Sequence, residues 1–280
     1  MSSSDAGTAG LKRRAGLVAA IVIFLTFDWR SFVSFAVANG RMERIAVLAF
    51  GAHPDDVELG CGGTMFKMRA RGTAVADLTR GELGTRGTPE TRRDEAHAAA
   101  QILGLAKRVN LGFRDGFFEN DETHRLAVVR VIREIRPEIV LCNAPSDRHP
   151  DHGRAFELVR DAAFLAGLAK IETYDPLGRV QEAHRPRKVV AYIQDQWITP
   201  SFVVDIGAHW ETKVAAIEAY RTQFYVGENT GEPETYISTP LYRKRIEARA
   251  RAMGHFIGVE YGEGFFIPEP IKLDSPLDLA

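Results

Sequence analysis

From Met42 onward the chain alternates short continuous apolar runs with longer stretches of helical period. Residues 45–50 form the first run of strand length, followed by a polar turn and a Gly-rich entry at 60–63 into a helix ending near Gly72. A second strand is predicted at 74–78, then a polar loop over 79–88 and a helix opened by Pro89-Glu90, which Gly104 ends after Leu103. Further strands are predicted at 109–111, 139–142, 189–194 and 202–206, with helices over 123–135, 153–168, 209–222 and 241–256. Near-continuous apolar strands alternating with helices imply a parallel sheet covered on both faces. The pattern therefore predicts an α/β domain, Rossmann-like and three-layered (α/β/α) with a mostly parallel central sheet, over residues 42–280.

Residues 1–41 do not share this pattern. Lys12-Arg13-Arg14 precedes a thirteen-residue mostly apolar run, 15–27, closed by Asp28-Trp29-Arg30. That run is shorter than the roughly twenty residues a spanning helix needs, so no stable membrane anchor is expected. A signal peptide is one reading, with Ala36-Val37-Ala38 before a cut, although Asp28 and Arg30 interrupt it. The preferred reading is a leader outside the fold, with the true start at Met42. Met42-Glu43-Arg44 is just enough chain to enter a central first strand.

Composition narrows the function classes. The 280 residues hold 36 Lys+Arg and 37 Asp+Glu, a net charge of −1, and setting aside the leader's five basic and two acidic residues leaves −4. No basic surface for neutralising phosphates is implied, which argues against a nucleic-acid partner. Two cysteines, Cys61 and Cys142, exclude a disulfide framework and point to a cytoplasmic location. Export is the alternative if residues 1–38 act as a signal.

The chemistry is concentrated in two segments. His53-Pro54-Asp55-Asp56 follows the first predicted strand, and Asp147-Arg148-His149-Pro150-Asp151-His152 follows the strand at 139–142. In an open α/β sheet, ligands bind outside the carboxyl ends of the strands where the strand order reverses. With the order 3-2-1-4-5, strands 1 and 4 are neighbours and residues about ninety positions apart converge. Two imidazoles and one carboxylate suit a catalytic zinc that keeps a position for water, and a remaining Asp takes that water's proton. The same donors suit iron, manganese or cobalt. A lone His here would be read as a loop residue or helix cap; two His-Pro-Asp tripeptides, each after a strand, favour a metal.

Here the sequence resembles the LmbE-like or PIG-L-like zinc-dependent N-acetylglucosaminyl deacetylases. The resemblance is carried by Gly51 to Glu58, by Gly60 to Thr64 and by His149-Pro150-Asp151-His152. It extends to the loop from Gly81 to Arg92 and to Asp205, Lys213, Tyr220, Gln223 and Phe224, which look most like the bacillithiol-biosynthesis deacetylases. The resemblance implies His53, Asp56 and His152 as metal ligands and Asp55 as general base. It implies His149 as the group that steadies the oxyanion and protonates the leaving amine, with Asp151 orienting an imidazole and Arg92 holding the sugar. It also implies a small-molecule sugar substrate, N-acetylglucosaminyl malate before others, and a homo-oligomer. Other N-acetylated sugars (a chitin oligomer, lipid-linked glucosamine, a mycothiol precursor) are the next reading.

The remaining features weigh less. A nucleotide-binding Rossmann-like domain is disfavoured because the first turn carries His53, Asp55, Asp56 and Glu58, whose charge repels a pyrophosphate. Ser146 lacks the Gly-x-Ser-x-Gly elbow of serine hydrolases. Arg80, Arg86, Arg92 and Arg93 are candidates for the malate carboxylates, and Glu58 and Asp147 for groups that orient ligands. Cys142, Trp197, Phe202 and Trp210 read as core or packing residues, and 227–240 as a flap.

Overall fold

A computed structural model describes residues 33–34, 44–224 and 231–275. The elements are β1 (Val33–Ser34), β2 (Val47–Gly51), α1 (Asp56–Lys67), β3 (Thr73–Thr79), α2 (Pro89–Leu103), β4 (Lys107–Phe113), α3 (Glu122–Ile135) and β5 (Ile139–Cys142). They continue with α4 (Pro150–Ala166), β6 (Lys188–Tyr192), β7 (Phe202–Asp205), α5 (Trp210–Glu218), α6 (Pro240–Phe256) and β8 (Gly262–Phe266). One sheet runs β1-β4-β3-β2-β5-β6-β8-β7. Its central five strands are parallel, and numbered as in the sequence pattern they run 3-2-1-4-5, the order on which the convergence of the two chemical segments depended.

Alternate residues of the central strands feed two separate cores. Val47 and Ala49 of β2 pack with α1, α2, α5 and α6, whereas Leu48 and Phe50 pack with α3 and α4. Both faces of β2 are therefore dry, which is why its sequence is continuously apolar rather than alternating. The three-layer α/β/α architecture follows directly.

The sequence pattern missed two strands, the two-residue β1 and the longer β8. β8 contains Gly262 and Gly264, poor strand formers, but a Cβ on Gly264 would lie 2.6 Å from Met253 Sδ and one on Gly262 2.6 Å from Val203. Close approach of α6 and β7 selects glycine there, and β8 pairs antiparallel with both β6 and β7. The helix predicted over 209–222 is shorter than expected. It ends at Glu218, because Thr222 and Gln223 turn away to bond Glu95 and the Arg86 carbonyl.

The glycines at 60–63 also differ from expectation, since they lie inside α1 and not before it. Gly60 faces Tyr192, and a Cβ there would sit 2.2 Å from the ring. At Cys61 the backbone leaves helical geometry (φ −145°, ψ 20°). The Gly63 and Thr64 amides then donate to the Glu263 carboxylate at 2.9 and 2.7 Å. Lys213 Nζ neutralises that buried carboxylate at 2.5 Å and donates to the Leu59 carbonyl.

At the opposite edge, Val33 and Ser34 lie antiparallel beside Arg108 and Lys107 of β4. The rest of residues 1–43, including the proposed start, the 15–27 run and the Ala36-Val37-Ala38 triplet, lies outside the described residues. No described helix is long and apolar enough to cross a membrane. Packing at Gly60 is directly testable: Gly60→Ala should cost about 1–3 kcal/mol and lower the thermal midpoint by roughly 3–10 °C. An unchanged midpoint in a calorimetric scan would refute the close contact.

Candidate metal centre

The parallel pairing of β2 and β5, Val47 against Ile139 through Ala49 against Leu141, sets the two chemical loops side by side. The Ala52 amide donates to Asn143 Oδ1 at 2.9 Å, joining the loops just beyond the strand ends. His149 caps α4, its Nδ1 accepting from the Asp151 amide, so Asp151 and His152 occupy the helix's first turn. Asp55 caps α1 at φ 115°, a conformation that costs a non-glycine residue about 1–3 kcal/mol.

Six of the predicted residues converge, and Arg92 joins them. His53 Nδ1 lies 3.5 Å from Asp56 Oδ2, and His152 Nε2 lies 3.2 Å from Asp56 Oδ1. The ring centroid of His53 is 4.5 Å from that of His149 and 5.7 Å from that of His152. Arg92 is buried, contrary to the ordinary expectation for an arginine in the first turn of a helix. Its Nη2 donates to the Pro54 carbonyl and lies 3.2 Å from Asp55 Oδ2.

The outer faces of these side chains are already held. His152 Nδ1 is 2.7 Å from Asp147 Oδ2, so Asp147 orients that imidazole as anticipated. Asp56 accepts from Gln194 Nε2, Asn143 Nδ2 and the His53 amide. His53 Nε2 lies 3.0 Å from Asp115 and 3.3 Å from Asp151, which makes His53 the imidazole that Asp151 touches. Asp115 was missed because it stands alone in a loop after β4 with no motif around it. It also accepts from the Leu83 amide, tying the 80–88 loop to the centre.

Glu58 does not orient a ligand. It turns into the core and pairs with Arg108 at 2.5 Å, while Asp77 binds the same guanidinium at 2.8 Å. Three of the four arginines considered for carboxylate binding are likewise engaged: Arg86 with Glu232, Arg92 with Asp55 and Arg93 with Asp94. Trp210 stacks on Tyr261 and Phe202 on Phe265, as packing residues. Of the flap, 225–230 lies outside the described residues, while Glu232 bonds the Arg86 side chain and the Gly87 amide.

The electrostatics test whether a cation fits. Burial alone would lower the His152 imidazole, but Asp56 and Asp147 outweigh it and raise it to about 9. His53 behaves alike: burial opposes its charge, and Asp115, Asp151 and Asp56 prevail and raise it well above its ordinary value. Without a metal, the carboxylates thus draw protons onto two imidazoles. A divalent cation supplies the same two positive charges, and His53 Nδ1, Asp56 and His152 Nε2 are the donors whose other sides the protein already holds. Ring nitrogens of His53, His149 and His152 also lie within 4.8 Å of one another, as do donor atoms of His53, Asp115 and Asp151. Burial pushes Asp55 up to about 7, with Arg92 offsetting only part of the effect. His149 is lowered by burial and by its two imidazole neighbours.

Comparison with known proteins shows the family of the chain. Residues 48–163 match the family model described as PIG-L: GlcNAc-PI de-N-acetylase. The diacetylchitobiose deacetylase of Thermococcus kodakarensis is 31% identical over 235 residues, covering 79% of this chain and 83% of its own. The chain belongs to the PIG-L family. The conserved protein TT1542 of Thermus thermophilus superposes with a TM-score of 0.71 at 38% identity, over 83% of this chain and 98% of that one. The 4-oxalmesaconate hydratase of Pseudomonas putida is 30% identical over 214 residues, covering 72% of this chain and 71% of its own.

For this PIG-L-family protein, the Asp147–His152 contact predicts that Asp147→Asn weakens divalent-metal affinity by about 10–100-fold in a chelator competition. His152→Ala should abolish stoichiometric metal in elemental analysis. Unaltered affinity in Asp147→Asn would mean that Asp147 does not act through His152.

Proposed function

We propose that this protein is a metal-dependent hydrolase that removes acetate from the amino group of an N-acetylglucosamine conjugate. The observation that carries the reading is Asp55, a buried carboxylate that Arg92 holds beside the His53, Asp56 and His152 donors and that burial pushes up to about 7, with the His149 ring 4.5 Å from that of His53. A general base works best with a pKa near the working pH. A zinc ion held by those three donors supplies Lewis acidity toward the acetyl carbonyl and toward the attacking water. Iron, manganese or cobalt would serve the same donors.

The chain's own groups carry the rest. Asp55 accepts a proton from the attacking water as its oxygen bonds to the acetyl carbon. Arg92 holds the Asp55 carboxylate in place and keeps it from rotating away. His149 steadies the carbonyl oxygen and delivers a proton to the amide nitrogen as the carbon–nitrogen bond breaks, releasing acetate and a free amine. Asp151 and Asp147 fix the His53 and His152 rings.

For the substrate we propose N-acetylglucosaminyl malate, converted to glucosaminyl malate in bacillithiol biosynthesis. Support comes from the Gly81 to Arg92 loop. Of the four arginines considered for the malate, Arg80 keeps its guanidinium outside any ion pair among the described residues, so it takes that role here. A cytoplasmic location belongs to the same proposal and is supported by two cysteines, both buried and unpaired. The hydratase relative supports a second reading, addition of water to an unsaturated carboxylate, with Asp55 again accepting the water's proton.

Acetate release from N-acetylglucosaminyl malate, diacetylchitobiose, a lipid-linked N-acetylglucosamine and the mycothiol precursor, measured on zinc-reconstituted protein, tests the proposal. The first should be fastest, and Asp55→Asn should lower kcat by about 10²–10⁴-fold while metal content stays the same. No acetate from any of the four, with water addition to 4-oxalmesaconate instead, would transfer the protein to the second reading.

A further inference from the structure

The end of the sheet remote from the metal centre carries a second concave surface. A cleft of about 570 Å³ opens between α3, α4 and the segment entering β6. Lys188 opens β6, whereas Gln194, just past its far end, reaches Asp56. Six residues of extended chain separate the two, on the order of 20 Å.

Arg125, Arg160, Arg185, Arg187 and Lys188 line this cleft against two carboxylates, Asp161 and Glu269. The lining residues alone carry an excess of three positive charges, in a chain whose residues 42–280 carry −4, and it falls to one when Glu157, paired with Arg160, and Glu138, paired with Arg187, are counted with them. Asp161 is shared, 3.1 Å from Arg125 and 3.4 Å from Arg160. Among the described residues Arg187 pairs with Glu138 alone, at 3.7 Å, and that carboxylate also serves Arg44 and Arg71. Lys188 has no ion-pair partner among the described residues. Cations gathered in one concavity repel each other, and an anion entering it relieves that repulsion.

Arg185 is built into its position. Its guanidinium lies 4.3 Å over the Phe164 ring, and Nη2 donates to the Phe164 carbonyl at 3.0 Å near the end of α4. A Cβ on Gly167 would come within 2.3 Å of Arg185 Nε, so a glycine there lets the arginine lie across the helix end. Nε and Nη1 make no hydrogen bond among the described residues. Held by one hydrogen bond and a ring face, this exposed guanidinium presents a planar fork suited to phosphate oxygens. Phe164, Leu165 and Val189 add an apolar wall.

We propose that this cleft binds a soluble small molecule carrying a diphosphate or two phosphate groups, with its organic part against that wall. Two phosphates bring about three to four negative charges at neutral pH, enough to engage Arg185 and Lys188, which have no carboxylate partner among the described residues, and to compete for the shared Arg125 and Arg187. The proposal is independent of the deacetylase reading.

Calorimetric titration of the metal-loaded protein with inorganic pyrophosphate tests it. The expected Kd is below about 1 mM, weakened at least tenfold in Arg185→Ala and in Lys188→Gln and unchanged in His152→Ala. Lys188→Gln is the safeguard against misfolding, since it removes no ion pair. Weaker wild-type binding, the same Kd in both cleft variants, or loss of binding in His152→Ala overturns the proposal. So does association with vesicles of a bisphosphorylated lipid when pyrophosphate does not bind, which would assign the surface to a membrane.

Discussion

Four carboxylates, Asp56, Asp115, Asp147 and Asp151, press on two imidazoles where little water reaches, and the surrounding structure is arranged around that excess of negative charge. Such a cluster is unstable in a low-dielectric interior unless positive charge is supplied. Protons on His53 and His152 and the Arg154 guanidinium on Asp151 meet the demand in part, and a divalent cation would meet the rest. Asp55 stands just outside the cluster. Its ion pair is with Arg92 rather than with an imidazole, so burial raises its pKa while that of Asp56 is driven down by His152 and His53 despite burial. Two adjacent aspartates thereby acquire opposite proton affinities.

Positioning costs backbone regularity near the centre. Asp55 takes a left-handed conformation so that Asp55 and Asp56 can face different partners, and α1 breaks at Cys61 within two turns of the site. The break exposes amides that Glu263 accepts, and Lys213 balances Glu263. These two residues come from β8 and α5, so an inner strand and a helix late in the chain stabilise the helix that begins at the candidate metal centre. The Glu58–Arg108–Asp77 group does similar work beneath it, joining α1, β3 and β4.

Much of the candidate site was legible because its chemistry sits in two short motifs directly after strands. His53, Asp55, Asp56, His149, Asp151 and His152 needed only the inference that β2 and β5 are neighbours. Asp147 was legible through its nearness to His152. Asp115 was not, since an isolated Asp in a polar loop carries no local signal and its role arises from the His53 ring 62 residues away. Glu58 misled for the converse reason: its place in a chemical motif suggested a ligand partner, while its helical position turned it toward Arg108.

Local pattern along the chain was enough for the alternation of strand and helix and for the donor types that follow the strands, while the order of the five parallel strands was a condition that the sheet pairing met. Those features depend on short-range periodicity and on the strong handedness and packing rules of α/β sheets. Packing of the layers was needed to bury Arg92 against Asp55, to set Gly60 against Tyr192, and to make an inner strand of the glycine-bearing segment at 262–266. In each case the deciding term is a desolvation or a contact with a residue distant in the chain. Local pattern does not encode that cost, because it is set only once the layers have packed.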